Sequence, residues 1–251
     1  MSISDSRAAN PSSLLQKTGS VLAVIGCFAL VEWIASFHFL VRILPLPSSL
    51  SLGLAWHFEH QVWQFGIAML AITILSRGHL WSYGINSSEI RLSMSILLKF
   101  YAAGMILIVG LIVLPLLLSG TLPPYFTQMS RTDMVVWILF QWMAAAIGDE
   151  IFFHGLCQTL LLKYWRGKFV VKSFEVPFVV LLTSVAFAIG RSNVLVYGNH
   201  WLEYLLALLV GLYGGLVYYR TRSLLTPMLS QAFFYGFPFV VRFIYVAMTF
   251  R

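Results

Sequence analysis

The sequence predicts an all-α, multi-pass transmembrane bundle of about seven helices, or eight if the stretch 191–200 contributes a span or a re-entrant piece. Three observations predict it. Of the 251 residues, 59% are hydrophobic and only 10% charged, whereas a soluble domain carries roughly 25% charged residues. The apolar runs reach the length of about 20 residues that a membrane span needs. The basic residues fall mostly between those runs, so the net charge of +7 reads as membrane topology. No nucleic-acid partner is expected; the lipid bilayer is.

Taken in order, a polar segment, 1–19, precedes the first apolar run, 20–41. That run is longer than a signal-peptide core and lacks a clear cleavage site, so it stays as a helix. Spans follow over 56–76 and 95–118, separated by the polar, glycine-containing connection 77–93. Pro123-Pro124 closes the third helix. These N-terminal helices, 20–133, lead into a second block, 134–251, with spans over 134–162, 177–198, 201–219 and 224–249.

With the N-terminus cytoplasmic, that side receives Arg7, Lys17, Arg77, Arg91, Lys99, Lys163, Arg166, Lys168, Lys172, Arg220 and Arg222. The other side receives Arg42, Arg131 and Arg251. Such a bias sets the orientation and suits an integral protein of a bacterial-type plasma membrane. Cys27 and Cys157 both lie in apolar runs and read as small core residues, not a disulfide framework. Gly211 and Gly215 have the spacing that lets membrane helices pack closely. The sequence contains no internal repeat, and so no sign of a transporter built on inverted repeats.

Ionisable groups inside spans are costly, so each is a candidate for function. They are Glu32, His38, Asp149, Glu150, His154, Arg191, Glu203 and Arg242. Asp149, Glu150 and His154 form the densest set, in AAAIGDEIFFHGLCQTLLLKYW. On one long helix, residues four apart share a face, so Glu150 and His154 are neighbours. Asp149 points about 100° away from Glu150. Adjacent carboxylates in low dielectric repel, and such a site can supply a general base or acid. The alternative is an ion pair, Glu150 with His154 or Arg191, that ties helices together.

An arginine in a bilayer needs a carboxylate or several carbonyls. Arg191 and Glu150 lie about 14 and 12 residues from the cytoplasmic ends of their spans, so both sit roughly 20 Å deep and can meet. Gln231 and Tyr235 share a face of the last span at depths of roughly 10–17 Å. Each is equally readable as helix–helix contact or packing. Glu203 reads as interfacial and Glu32 has no obvious partner. The cluster His57-Phe58-Glu59-His60 has the look of a metal ligand set, but beside Trp56 and Trp63 it reads better as an interfacial belt.

The order of these motifs resembles the CPBP family of CAAX proteases and bacteriocin-processing enzymes, also called Abi proteins. That family shows EExxxR, FxxxH, and HxxxN or HxxxD on successive membrane helices. Here Asp149-Glu150-x-x-x-His154-Gly155-Leu156 fills the first place, Phe187-x-x-x-Arg191 the second and Gln231-x-x-x-Tyr235 the third. Gly211 through Tyr219-Arg220-Thr221, then Ser223-Leu224 and Pro227, matches the run before the third motif. The resemblance covers roughly residues 140–238. It implies peptide-bond hydrolysis inside the membrane, with no catalytic metal and no cofactor, on prenylated CAAX tails or hydrophobic leader peptides. In the family the first glutamate and the second-motif histidine activate water, the third-motif residues stabilise the oxyanion, and the second glutamate pairs with the arginine.

This chain departs from the pattern at those positions. Asp149 is one methylene shorter than glutamate, and a shift of about 1 Å can cost roughly 100-fold in rate. Arg191 stays protonated and cannot act as a base. His154 stands where the family has its arginine, so the two changes read as one exchange between helices. Gln231 and Tyr235 can still donate hydrogen bonds to an oxyanion. Two readings stay open. One is an endopeptidase with a rearranged site: Asp149 or Glu150 as base, His154 as proton shuttle, Gln231 and Tyr235 as oxyanion donors. The other, which the departures favour, is a pseudoprotease that binds hydrophobic or prenylated peptides or a membrane-protein segment and cuts nothing.

Overall fold

The computed structural model describes residues 11–37, 42–43, 52–86, 90–108, 131–140, 144–171, 174–192, 201–234, 236 and 240. These residues are mostly helical. Helix α1 runs over Pro11–Ala35 and α2 over Leu52–Ser76. A 3₁₀ turn, Leu80–Tyr83, leads to α3, Ile90–Ile108. Helix α4 is Arg131–Phe140. Helix α5 is continuous through Ala146–Glu150, the π-helical segment Ile151–Gln158, and Thr159–Tyr164. Helices α6, Phe178–Ser192, and α7, Trp201–Thr221, follow, and the last described helix, α8, covers 225–234.

Helix α1 begins earlier than the apolar run, at Pro11. Proline in a first turn has its φ preset and needs no N–H partner, whereas hydropathy detects only where the chain turns apolar. Between α5 and α6, the charged stretch that hydropathy treats as a loop forms the two strands β1, Lys168–Val171, and β2, Phe174–Pro177. They pair antiparallel from Lys168 opposite Pro177 to Val171 opposite Phe174. Their β-branched and aromatic residues suit a pleated ribbon. Lys168 Nζ bonds Glu175 Oε1 at 2.7 Å on the exposed surface, and that hydrogen bond holds the lysine above its ordinary pKa.

Helix α5 lies at the centre. It packs against α1, α2, α6 and α7, while α6 runs along α7. Phe28, Phe152, Phe153 and Phe187 form an aromatic core around it, with Phe153 edge-on to Phe187 at 5.3 Å between centroids. One end of the bundle is tied by polar contacts. Lys17 lies over the Trp165 ring, Lys163 donates to Tyr83 Oη at 2.9 Å, and Asn86 Nδ2 donates to the Arg222 carbonyl at 2.9 Å. Gly84 is needed at this end. Its φ is +83° and a Cβ there would collide with the Tyr218 ring, while its carbonyl accepts from the Leu224 N–H at 2.9 Å.

Many large apolar side chains are exposed, while a row of polar and charged ones is buried beside the apolar core. Leu22, Ile25 and Trp33 on α1, Leu70 and Ile74 on α2, Leu98 and Ile106 on α3, and Leu209 on α7 are exposed. Glu59, Gln61, Gln64, Asp149, Glu150, His154, Gln158 and Gln231 are buried. Among the described residues one helix, Leu14–Ala35, is long and apolar enough by itself to cross a membrane, at a mean hydropathy of 1.8. Phe178–Arg191 is apolar but shorter. In α2 the residues His57, Glu59, His60, Gln61 and Gln64 lower the average although three of its turns are apolar. Of the cluster His57-Phe58-Glu59-His60, where the sequence suggested an interfacial belt, Glu59 and His60 are buried, and so are Gln61 and Gln64 after it. Residues 193–200, the least clear stretch of the sequence, lie outside the described residues.

Candidate active site

The first motif places two carboxylates side by side on α5, and the helix sends them to opposite surroundings. Asp149 turns towards α2, α6 and α8. Its Oδ2 lies 3.0 Å from Arg191 Nη1 and accepts from Gln231 Nε2 at 2.5 Å. Its Oδ1 accepts from Gln61 Nε2 at 2.8 Å. Three helices besides its own therefore converge on one carboxylate. A charge-assisted bond of this kind is roughly twice as strong as a neutral one, and a buried carboxylate requires such partners. The glycine before it makes the approach of α2 feasible: a Cβ on Gly148 would lie 2.7 Å from Gln61 Oε1 and 3.3 Å from the Gln61 carbonyl.

Glu150 turns towards α7 and is 0% exposed. Its Oε2 lies 3.5 Å from His154 Nε2, on the neighbouring turn of α5. Among the described residues neither Glu150 oxygen has a hydrogen-bond partner, and nor does His154 Nε2. Native proteins leave few buried polar atoms in this condition, and those they leave need a reason. The histidine's other nitrogen is engaged: His154 Nδ1 lies 2.8 Å from Gln158 Oε1. The imidazole sits between the rings of Phe187 and Tyr218, nearly parallel to the first at 13° and to the second at 25°. Tyr218 is fixed in turn by a hydroxyl contact with Thr159 at 2.5 Å. The π-helical turn Ile151–Gln158 carries the histidine; such wide turns are rare and concentrate at functional sites.

Arg191 therefore meets the first carboxylate, and Glu150 finds its ion-pair contact in His154. Gln231 joins the Asp149 cluster through an amide N–H. Tyr235, His38 and Arg242 lie outside the described residues. The structure adds residues that sequence reading passed over. Gln61 and Gln158 are polar residues in apolar helices, and that alone could have marked them; their charge-free side chains drew no attention. Glu32, without an obvious partner in the sequence, meets His60 Nε2 at 3.0 Å across the α1–α2 contact. Glu59 accepts from Trp63 Nε1 at 3.4 Å on the same helix. Among the described residues no group of three or more His, Cys, Asp and Glu is placed to hold a metal ion.

On the other side of α5 an apolar cleft of about 330 Å³ opens between α1, α5 and α6, lined by Val24, Phe28, Phe153, Cys157, Leu161 and Ala186 among others. One helix thus carries a polar face and an apolar, cleft-lining face.

Residues 131–237 match the family model described as type II CAAX prenyl endopeptidase Rce1-like. The matched region contains Asp149, Glu150, His154, Arg191, Gln231 and Tyr235, so the resemblance read from the motifs holds there. No curated protein and no solved structure matches the chain.

Proposed function

We propose that this chain, whose residues 131–237 match the type II CAAX prenyl endopeptidase Rce1-like family model, is an intramembrane endopeptidase whose proton-transferring pair is Glu150 with His154. One observation carries this reading: a fully buried carboxylate and an imidazole nitrogen face each other at 3.5 Å, with no hydrogen-bond partner for the facing atoms among the described residues. A general base must lie within reach of the proton it takes, directly or through one water. In this scheme Glu150 and His154 take a proton from water as it attacks the scissile carbonyl, and His154 returns a proton to the leaving amine. Asp149 remains a fixed carboxylate, held by Arg191, Gln61 and Gln231, and orders the helices around the pair. The substrate class is a hydrophobic or prenylated peptide tail presented from the bilayer.

The membrane setting of the proposal is about seven spans with the N-terminus cytoplasmic. Exposed apolar side chains over a polar interior support it. The contacts at one end of the bundle support the orientation. Lys17, the turn around Tyr83, Lys163 with Trp165, and Arg222 meet there, and loop charge assigns each of them to the same, cytoplasmic side.

A second reading, a pseudoprotease that binds membrane peptides without cutting them, is favoured by Arg191, which replaces the family's histidine and cannot act as a base. The deciding experiment uses purified protein in nanodiscs with a prenylated CAAX peptide and a hydrophobic leader peptide. Wild type is expected to cleave at least one, and Glu150→Gln to lose at least about 100-fold in rate. Folded wild type that binds such peptides and cleaves neither would establish the pseudoprotease instead.

A further inference from the structure

Gln158 belongs to none of the motifs, yet it lies one more step of four along the face that carries Glu150 and His154. It is fully buried, and its amide makes contacts on both sides. Nε2 lies 2.8 Å from the Gly215 carbonyl on α7, and Oε1 lies 2.8 Å from His154 Nδ1. A backbone carbonyl can only accept, and its two lone pairs let Gly215 serve its own helix and Gln158 together. Turning the amide over would set two acceptor oxygens against each other in a buried site and lose the bond to the Gly215 carbonyl. The NH₂ therefore faces α7 and the amide oxygen faces the histidine. An amide oxygen also only accepts, so the hydrogen between it and Nδ1 belongs to the imidazole. A neutral imidazole has one N–H. Nε2 is left with its lone pair, aimed at Glu150.

We propose that Gln158 is a positioning residue: anchored to the Gly215 carbonyl, it holds His154 in the Nδ1–H tautomer and so makes Nε2 the atom that exchanges a proton with Glu150. Which ring nitrogen carries the proton is commonly set by the bond the other one makes. Here a neutral amide on the next turn of the same helix performs that task.

The packing of α7 points the same way. Gly214 and Gly215 present bare backbone opposite the three side chains. A Cβ on Gly214 would lie 3.0 Å from His154 Nε2 and 3.5 Å from Glu150 Oε1. A Cβ on Gly215 would lie 3.0 Å from Gln158 Oε1 and 3.3 Å from His154 Cε1. Gly211, by contrast, meets Phe187. The Gly211–Gly215 spacing brings α7 close, and the closeness delivers a carbonyl to Gln158 while leaving the pair its space. The rings of Phe187 and Tyr218 lie nearly parallel to the imidazole, which is oriented with Nε2 towards Glu150.

The inference rests on the reading of Glu150 and His154 as the reacting pair, but its test does not need cleavage. Full-length protein with ¹⁵N-labelled histidine is placed in nanodiscs, and the His154 signals are assigned by comparison with His154→Asn. Wild type is expected to show a protonated Nδ1 and no fixed N–H at Nε2. Gln158→Leu is expected to shift the population towards the Nε2–H form. An Nε2–H tautomer in wild type overturns the proposal, whether or not the variants fold; so does an unchanged Nδ1–H in Gln158→Leu. Where cleavage is measurable, Gln158→Leu is expected to lower kcat about 100-fold at unchanged KM. Wild type that shows the Nδ1–H tautomer but cuts no peptide would remove the protease reading and leave the tautomer assignment standing.

Discussion

Asp149 and Glu150 are consecutive residues of one helix, equally buried, and the protein treats them in opposite ways. Asp149 has an arginine and two amides on it, supplied by three other helices. Among the described residues Glu150 meets a histidine from its own helix, and across from it lies the bare backbone of Gly214. The side of the helix on which each falls decides this. One side meets helices that carry polar residues, the other a glycine surface. A carboxylate saturated with donors is a structural charge. A carboxylate left with an imidazole is one whose proton can move.

The contrast can be broken at its strongest point by Arg191→Leu. Removing one partner of a buried ion pair leaves an uncompensated charge and is expected to cost about 3–5 kcal/mol, read as a lowered midpoint of unfolding in detergent. In an Asp149→Asn background the same change should cost less, since the two residues share one interaction. An additive result would show that the pair does not anchor the site. Gln61→Ala comes next. It removes a hydrogen bond to a charged group, worth about 1.5–3 kcal/mol. Gly148→Ala should act through the same bond by driving the Gln61 amide away, at about 1–3 kcal/mol, and should cost clearly less once Gln61 is already alanine. Glu150→Gln is the smallest perturbation of stability. The side chain keeps its shape, and the change should stay within about 1 kcal/mol while any peptide cleavage disappears. If Glu150→Gln unfolds the protein and Arg191→Leu does not, the assignment of the two carboxylates is reversed.

Much of the site was legible as a list. Asp149, Glu150, His154, Arg191 and Gln231 stand out because each is polar where the chain is apolar, and the spacing of four put Glu150 beside His154. The partners were less legible. Depth along the spans brings Arg191 level with Glu150, and Asp149 lies only one residue away. Depth carries no information about the side of a helix, and the side decided that Arg191 meets Asp149. Tryptophans beside His57–His60 suggest an interfacial position but do not reveal that Glu59 and His60 are buried. Gln61 and Gln158 escape a reading that follows ionisable groups, because an amide carries no charge, yet each hydrogen-bonds a charged or titratable neighbour. The hairpin Lys168–Pro177 was hidden by its own charge, which hydropathy reads as a loop.

The sequence by itself determined the helical class, the family resemblance of the C-terminal region and the identity of the polar residues, because all three are written in composition, in order along the chain and in the period of the helix. The tertiary structure alone decided which partner each polar residue has. A helix of fixed period places its side chains relative to one another, but only packing against α2, α6, α7 and α8 determines that the donors gather on Asp149 and that Gly214 lies opposite Glu150. Two adjacent acids are alike in the sequence; the helices around them make one a structural charge and leave the other facing a histidine.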